Sequence, residues 1–148
     1  MNRKIADAAV ALLKSRTYSQ YELEQKLVQQ GYDEVAVNTA IQYVTERGYL
    51  NDAALCDRLV EKYAEMNKYS LKESYIRLRR RGLPPALINE KLMNWDEEFE
   101  YQAALNLAKK YLGSHDDNIP KLVRRLSAKG FKAGTVSKVL KHLKDMSP

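Results

Sequence analysis

The sequence of 148 residues is poor in cysteine, glycine and proline, with one, six and four of them. A single cysteine excludes an internal disulfide, which fits a reducing compartment. No segment approaches the roughly 18 consecutive apolar residues that a membrane span needs. The opening MNRKIADAAVALLKS carries Asp7 and indicates an amphipathic helix rather than a secretion signal. We therefore expect a soluble cytoplasmic protein.

Glycine and proline fall almost wholly at junctions, and alternating runs of β-branched residues are few. This pattern favours a chain built only of helices. The sequence GxxxxGK(S/T) of a phosphate-binding loop occurs nowhere.

What the sequence does contain is a skeleton that occurs three times. Each copy has a polar capping residue, a leucine eight residues later and a glycine twelve residues later. The copies are Ser19, Leu27 and Gly31; Ser70, Leu78 and Gly82; and Asn118, Leu126 and Gly130. Repetition with a period of about 50 residues is typical of stacked supersecondary units.

Each copy predicts a helix that begins at the capping residue and ends at the glycine. Ser19 and Ser70 are followed three residues later by Glu22 and Glu73, which predicts two capping boxes. Asn118 retains half of this box because a lysine replaces the glutamate. The glycine suits the left-handed conformation that closes a helix.

A second helix is predicted after each glycine, with apolar residues at offsets 4, 6, 10 and 13 from it. In chain order these positions hold Val35, Val37, Ile41 and Val44; Ala86, Ile88, Leu92 and Trp95; and Gly134, Val136, Leu140 and Leu143. Spacings of three, four and seven define one helix face. Asp33 is placed to cap the first of these helices, and Pro85 suits the first turn of the second.

A further helix precedes each capping residue, over residues 3–15, 52–66 and 97–112, with Asp52 placed to cap the middle one. The chain is therefore predicted to be all-α, with nine helices in three tandem three-helix repeats. The predicted repeats span residues 1–48, 49–95 and 96–148. Three short helices bury only a small core, so each repeat is expected to lean on its neighbour in an elongated, curved array.

The residues that commonly carry chemistry form no catalytic or metal-binding pattern. Cys56 lies in a predicted helix without CxxC or HxxxH spacing, and His115 and His142 complete no motif with it. We predict no enzymatic activity, cofactor or metal. Most of the ten tyrosines are interpreted as packing residues. Tyr18 and Tyr69, for example, lie just before a cap, where an apolar residue packs onto the first turn.

Positive charge is concentrated in two blocks, although the net charge is only +6. Residues 71–82 hold five Lys/Arg against one Asp/Glu, and residues 118–148 hold eight against one. In the helix after Asn118 the basic side chains are displaced from the apolar ones by two residues, about 200° around the helix. We predict that these blocks bind DNA phosphates or an acidic partner surface. The predicted binding residues are Lys72, Arg77, Arg79, Arg80, Arg81, Lys121, Arg124, Arg125, Lys138, Lys141 and Lys144.

An acidic stretch, NWDEEFEY, lies between the two basic blocks at residues 94–101. It is expected either to meet a basic partner surface or to cap the seventh helix.

The junction ERGYLNDAALCDRLVEKY, residues 46–63, resembles the RecX family of bacterial recombination regulators. Members typically carry GYL(D/N)D at this turn, as this chain does from Gly48 to Asp52, and the similarity extends over nearly the whole chain. Ser74 stands where the family usually has an aliphatic residue. The resemblance implies a non-enzymatic regulator in DNA repair and the SOS response. Such a protein would bind RecA, lodge in the groove of its filament on DNA, and restrain strand exchange and ATP hydrolysis. We expect a monomer that binds DNA weakly and without sequence preference.

The alternative interpretation is a tandem helix-turn-helix-like DNA-binding protein, because helix, glycine, helix is the outline of that motif. The would-be recognition helix of the first repeat opens with Asp33 and Glu34, which would repel phosphate. That of the second opens with Pro84 and Pro85, so only the third, opening FKAGTVSK, suits DNA.

Overall fold

The structure is a computed structural model that describes residues 3–114 and 118–146. Within these ranges it contains nine α-helices and no strand, which confirms the predicted all-α class. The helices are α1 (Arg3–Ser15), α2 (Gln20–Gln29), α3 (Glu34–Glu46), α4 (Asp52–Met66), α5 (Leu71–Arg80), α6 (Pro85–Leu92), α7 (Glu97–Ser114), α8 (Ile119–Ala128) and α9 (Ala133–Asp145).

The chain divides into two compact units. Unit 1 comprises Met1–Arg58 and Leu78–Ile88, and unit 2 comprises Leu59–Arg77 and Asn89–Pro148. The division passes through α4, α5 and α6, so each of these helices contributes residues to both units. The repeat boundaries after residues 48 and 95 stay a prediction.

The three equivalent leucines are core residues. Leu27 and Leu78 are fully buried in unit 1, and Leu126 is 1% exposed in unit 2. Around Leu27 pack the apolar faces of α1, α2 and α3, and around Leu126 those of α7, α8 and α9. The alignment of the three copies is therefore confirmed at its most apolar position.

The helices that carry these leucines end at glycine, as predicted. Gly31, Gly82 and Gly130 have φ angles of 95°, 80° and 93°, in the left-handed region. After each glycine the chain amide returns to the carbonyl of the buried leucine, at 3.2 to 3.3 Å. This bond satisfies one of the carbonyls left without a partner at a helix end.

The capping box of α2 is complete. The Ser19 hydroxyl accepts from the Glu22 amide at 3.1 Å, and the Glu22 carboxylate accepts from the Ser19 amide at 2.9 Å. Asn118 caps α8 by accepting from the Lys121 amide at 3.1 Å. Both caps were predicted.

The predicted box of α5 is only half formed. The Ser70 hydroxyl accepts from the Glu73 amide at 3.0 Å. The Glu73 carboxylate instead lies 3.4 Å from the Arg77 guanidinium, one helical turn later. A cation four residues along a helix attracts the glutamate away from the cap, so the prediction of a complete box is wrong here.

The predicted cap of α4 is also wrong by one residue. Asn51, not Asp52, accepts from the Ala54 amide, at 3.1 Å, and α4 begins at Asp52 itself. Asn and Asp are equally good caps, so neighbouring residues of these two types leave the choice open in sequence. Asp52 is used elsewhere, as described below.

The predicted α3, α6 and α9 faces are wrong at offset 4, and Trp95 at offset 13 lies beyond the end of α6 at Leu92. The residues at offset 4, Val35, Ala86 and Gly134, are exposed, whereas Val37, Ile88 and Val136 at offset 6 are buried. Positions two apart are separated by about 200° on a helix, so offsets 4 and 6 cannot share a face. The predicted cap of α3 is confirmed, since Asp33 accepts from the Ala36 amide at 2.8 Å. Pro85 opens α6 as predicted.

In unit 1, the start of α2 docks against the end of α5. The buried Ser19 hydroxyl donates to the Arg81 carbonyl, and the Asp52 carboxylate accepts from the first amide of α2 at 2.9 Å. Tyr21 covers Gly82 so closely that a Cβ there would lie 2.6 Å from the tyrosine side chain. We call this set of contacts the unit 1 joint.

Unit 2 contains an equivalent arrangement, in which the start of α5 docks against the end of α8. The buried Ser70 hydroxyl donates to the Lys129 carbonyl at 2.8 Å, and Glu100 accepts from the first amide of α5 at 2.6 Å. A Cβ on Gly130 would lie 2.9 Å from the Ser70 hydroxyl oxygen. We call this set the unit 2 joint.

Burial raises the pKa of both joint carboxyls. The pKa of Asp52 is lowered again by its hydrogen bond and raised by nearby Glu22 and Glu24. The pKa of Glu100 is lowered by its hydrogen bond and by Lys132. In both cases loss of water outweighs these other effects, so ionising the carboxyl costs stability.

Candidate polyanion and partner interface

The basic side chains of α8 lie on one exposed face. Lys121, Arg124 and Arg125 are exposed, while Leu122 and Leu126 on the other side of the helix are buried. This arrangement follows from the displacement by two residues in the sequence. We call these three residues the α8 basic face.

One residue of the α8 basic face, Arg125, lies over the buried ring of Tyr111. The Arg125 guanidinium lies 5.7 Å from the ring centroid of Tyr111, which is 8% exposed. Such a cation over an aromatic ring is attracted to it while its outer edge stays in water. The contact with the Tyr111 ring thus orients the Arg125 side chain in the protein alone.

The lysines of α9 have a different setting. Lys138, Lys141 and Lys144 are exposed, but Lys138 and Lys141 line a cleft of about 490 Å³ in unit 2. The other lining residues are mainly acidic: Asp96, Glu97, Glu98, Tyr101, His142 and Asp145. The carboxylates offset the two lysines, so the field outside this cleft is weaker than the lysine count of α9 suggests.

The acidic stretch caps α7, which is one of its two predicted roles. The Asp96 carboxylate accepts from the Glu98 amide at 3.0 Å, at the start of α7. Negative charge in a first turn is favoured by the helix dipole.

Two arginines of the predicted binding set form structural contacts. Arg81 donates to both Glu22 oxygens, at 2.9 and 3.1 Å, and to the Thr17 carbonyl at 3.3 Å, within unit 1. Arg77 pairs with Glu73 and lies 4.0 Å from the Tyr69 ring centroid, within unit 2. Both side chains are only partly exposed. The partners of Arg81 lie about 60 residues away in sequence, which a local pattern cannot detect.

The remaining cations of α5 divide between the units. Lys72 belongs to unit 2, where it packs beside Gly130. Arg79 and Arg80 belong to unit 1, and Arg79 donates to the Leu83 carbonyl at 2.8 Å. All three side chains are exposed. The α8 cations therefore share one exposed helix face, whereas Arg77 and Arg81 of the α5 block are engaged in contacts within the protein.

The described ranges contain no metal-binding cluster. Among residues 3–114 and 118–146 no group of three or more His, Cys, Asp or Glu side chains could hold a metal ion. No helix in the same ranges is long and apolar enough to cross a membrane. Cys56 is fully buried, and His115 lies outside the described residues.

The helices and the α8 basic face define an all-α protein with a concentrated cationic surface. A family model described as RecX, first three-helix domain, matches residues 7–43. The chain is 30% identical over 150 residues to "Regulatory protein RecX" of Clostridium botulinum, covering 93% of this chain and 68% of that protein. It therefore belongs to the RecX family.

Further comparisons agree in name and in fold. A protein of the same name from Chlorobaculum tepidum is 28% identical over 136 residues, covering 91% of this chain and 85% of the relative. The crystal structure of RecX from Lactobacillus salivarius matches with a TM-score of 0.84 at 20% identity, covering 97% of each chain. At that identity the likeness shows a shared fold.

Proposed function

We propose that this chain binds RecA and its DNA filament in the cytoplasm, as a monomer. By lodging in the filament groove it restrains ATP hydrolysis and strand exchange. It carries out no catalysis of its own. This proposal follows from membership of the RecX family, whose members we take to act on RecA.

The α8 basic face is the observation that best supports a filament partner. Three cations within five residues, Lys121, Arg124 and Arg125, are exposed on one side of a single helix. Such a surface attracts phosphates and carboxylates. The planar Arg guanidinium can form two parallel hydrogen bonds to either group. Contacts to phosphates carry no sequence information, so we expect this surface to contribute non-specifically to DNA binding.

The test is to add the protein to RecA on single-stranded DNA and to follow ATP hydrolysis and strand exchange. Both rates should fall at amounts of protein comparable with RecA. If neither rate changes, the proposed function is wrong. Tight binding to one duplex sequence in the absence of RecA would instead favour the helix-turn-helix alternative.

A charge-reversal variant locates the interface. Changing Lys121, Arg124 and Arg125 to glutamate lowers the formal net charge by six, from +6 to zero. Inhibition of RecA should drop steeply at low salt and its salt dependence should flatten, because attraction becomes repulsion. The melting temperature should hardly change, since exposed substitutions usually cost within about 0.5 kcal/mol each.

A matched control separates local charge from total charge. The exposed residues Lys26, Lys62 and Lys109 lie outside the predicted binding set. Changing them to glutamate alters the net charge by the same amount and should leave inhibition near that of the wild type. Equal loss in both variants would show that only total charge matters and would exclude the α8 basic face as the contact.

A further inference from the structure

Tyr49 does not behave as a packing residue. The residue is 48% exposed, whereas Tyr69 before the α5 cap is 8% exposed. Its backbone is nevertheless fixed, because its amide donates to the Val44 carbonyl at 2.9 Å and follows Gly48, with a φ of 77°. A rigid turn therefore presents an aromatic ring to solvent.

Tyr49 lines two clefts within unit 1. Tyr49 lines one cleft of about 490 Å³ together with Val10, Ala11, Lys14, Tyr43 and Arg47. It also lines a second cleft of about 590 Å³ whose walls include Leu13, Tyr18 and Arg58. Each cleft is lined by a second tyrosine as well, Tyr43 in the first and Tyr18 in the second.

Cations accompany the aromatic rings. The Arg47 guanidinium lies 3.6 Å from the Tyr43 ring centroid, and Lys14 and Arg58 are exposed. Asp7 in the first cleft and Asp57 in the second are the carboxylates of the same linings. The cations exceed the carboxylates, so the surface favours an anionic ligand with flat apolar faces.

We propose that Tyr49 is a stacking site for the bases of single-stranded nucleic acid, with Lys14 and Arg47 contacting the flanking phosphates. Single-strand binding proteins combine these two elements, exposed aromatic rings and adjacent cations. A duplex covers its base faces, so it should bind this site poorly. The site needs no RecA, which makes the inference independent of the proposed function.

Two oligomers of equal charge test the proposal by fluorescence anisotropy. One is a labelled dT oligomer, and the other is a base-free deoxyribose phosphate chain of the same length. Tyr49→Leu should weaken binding to the dT oligomer by about fivefold or more, since stacking contributes that much per base. Binding to the base-free chain should stay unchanged, and Tyr49→Phe should bind both as the wild type does.

Two outcomes of the anisotropy experiment would contradict the proposal. If Tyr49→Leu binds the dT oligomer like the wild type, or loses both oligomers equally, no base stacks on Tyr49 and the proposal is wrong. A second measurement uses the unchanged protein, in case Tyr49→Leu fails to fold. An oligomer containing 5-iodouracil should photo-crosslink to the peptide that carries Tyr49, and crosslinks confined to other peptides would equally overturn the proposal.

Discussion

The two joints have the same backbone geometry but obtain it from different side chains. In each, a buried serine donates to the carbonyl that precedes a left-handed glycine, and a carboxylate accepts the first amide of the serine's helix. The carboxylate is Asp52, the first residue of α4, in unit 1, and Glu100, the fourth residue of α7, in unit 2. The longer glutamate side chain reaches an equivalent amide from one turn further along its helix. The joint thus requires a carboxylate oxygen near the first amide of the serine's helix, whichever helical position carries the carboxylate.

The two units differ in how fully their buried polar groups are satisfied. In unit 1, Glu22 completes its capping box and also pairs with Arg81 at 2.9 Å and with Arg16 at 3.6 Å. In unit 2, four buried side-chain atoms have no hydrogen-bond partner within the described ranges. They are Ser74 Oγ, Arg77 Nε, Trp95 Nε1 and Glu100 Oε2. Buried polar atoms without partners cost free energy, so we expect unit 2 to be the less stable unit.

The largest effects are expected at the core leucines. Replacing Leu27, Leu78 or Leu126 by alanine should lower the free energy of unfolding by about 2–5 kcal/mol, because each is buried and leaves a cavity. Denaturant unfolding followed by circular dichroism measures this. A loss below about 1 kcal/mol at two of the three would show that the repeat alignment is wrong.

Replacing glycine by alanine should cost more stability at the joint glycines, Gly82 and Gly130, than at Gly31, which no side chain covers. Gly31→Ala has open space for the new methyl group and should cost about 1–2 kcal/mol from its backbone conformation alone. Gly82→Ala and Gly130→Ala carry the same cost and also push into Tyr21 or Ser70, which adds roughly 1–3 kcal/mol. Equal melting temperatures for the three variants would contradict the joints as described.

Replacing the three buried serines by alanine should change stability in two directions: loss at Ser19 and Ser70, and gain at Ser74. Ser19→Ala and Ser70→Ala each remove a cap and a joint hydrogen bond, which should cost about 2 kcal/mol in total. Ser74→Ala removes a buried hydroxyl without a partner and should stabilise the protein by up to about 1 kcal/mol. Thermal unfolding decides the sign, and a destabilised Ser74→Ala variant would mean that its hydroxyl is satisfied.

The smallest effect should be the pH dependence at Glu100. Because its pKa is raised in the folded protein, the folded state holds this proton more tightly than the unfolded state, and protonation stabilises the fold. Glu100→Gln keeps an oxygen for the α5 amide without the charge, so it should be more stable than the wild type at pH 7. This advantage should shrink as the pH falls through the raised pKa towards about 4.3. Urea unfolding at several pH values measures it, and an advantage that grows in acid would reverse the assigned shift.

Local features of the fold were predictable from sequence. A cap, a leucine and a glycine at fixed offsets involve residues within one helix, so Ser19, Leu27 and Gly31 could be interpreted without tertiary information. The α8 basic face was equally predictable, because the helical period alone sets Arg124 opposite Leu122.

Contacts between distant segments were not predictable. Arg81 was assigned to a binding surface because its neighbours are basic, yet its partners are Glu22 and Thr17, far away in the chain. Asp52 is a predicted cap because Asp at a helix start is a good capping residue. It accepts instead from the first amide of α2, which only the fold brings within its reach. The exposure of Tyr49 was not predictable either, because it depends on which neighbours the turn leaves uncovered.

The serine of each joint donates to a main-chain carbonyl, and this has an evolutionary consequence. Positions 81 and 129 carry different side chains, Arg and Lys, yet each provides the same acceptor. Substitution at these positions leaves the acceptor in place, provided that the following glycine keeps its conformation. A duplicated segment would therefore carry with it both partners of this serine-to-carbonyl hydrogen bond, whatever side chains stand at positions 81 and 129.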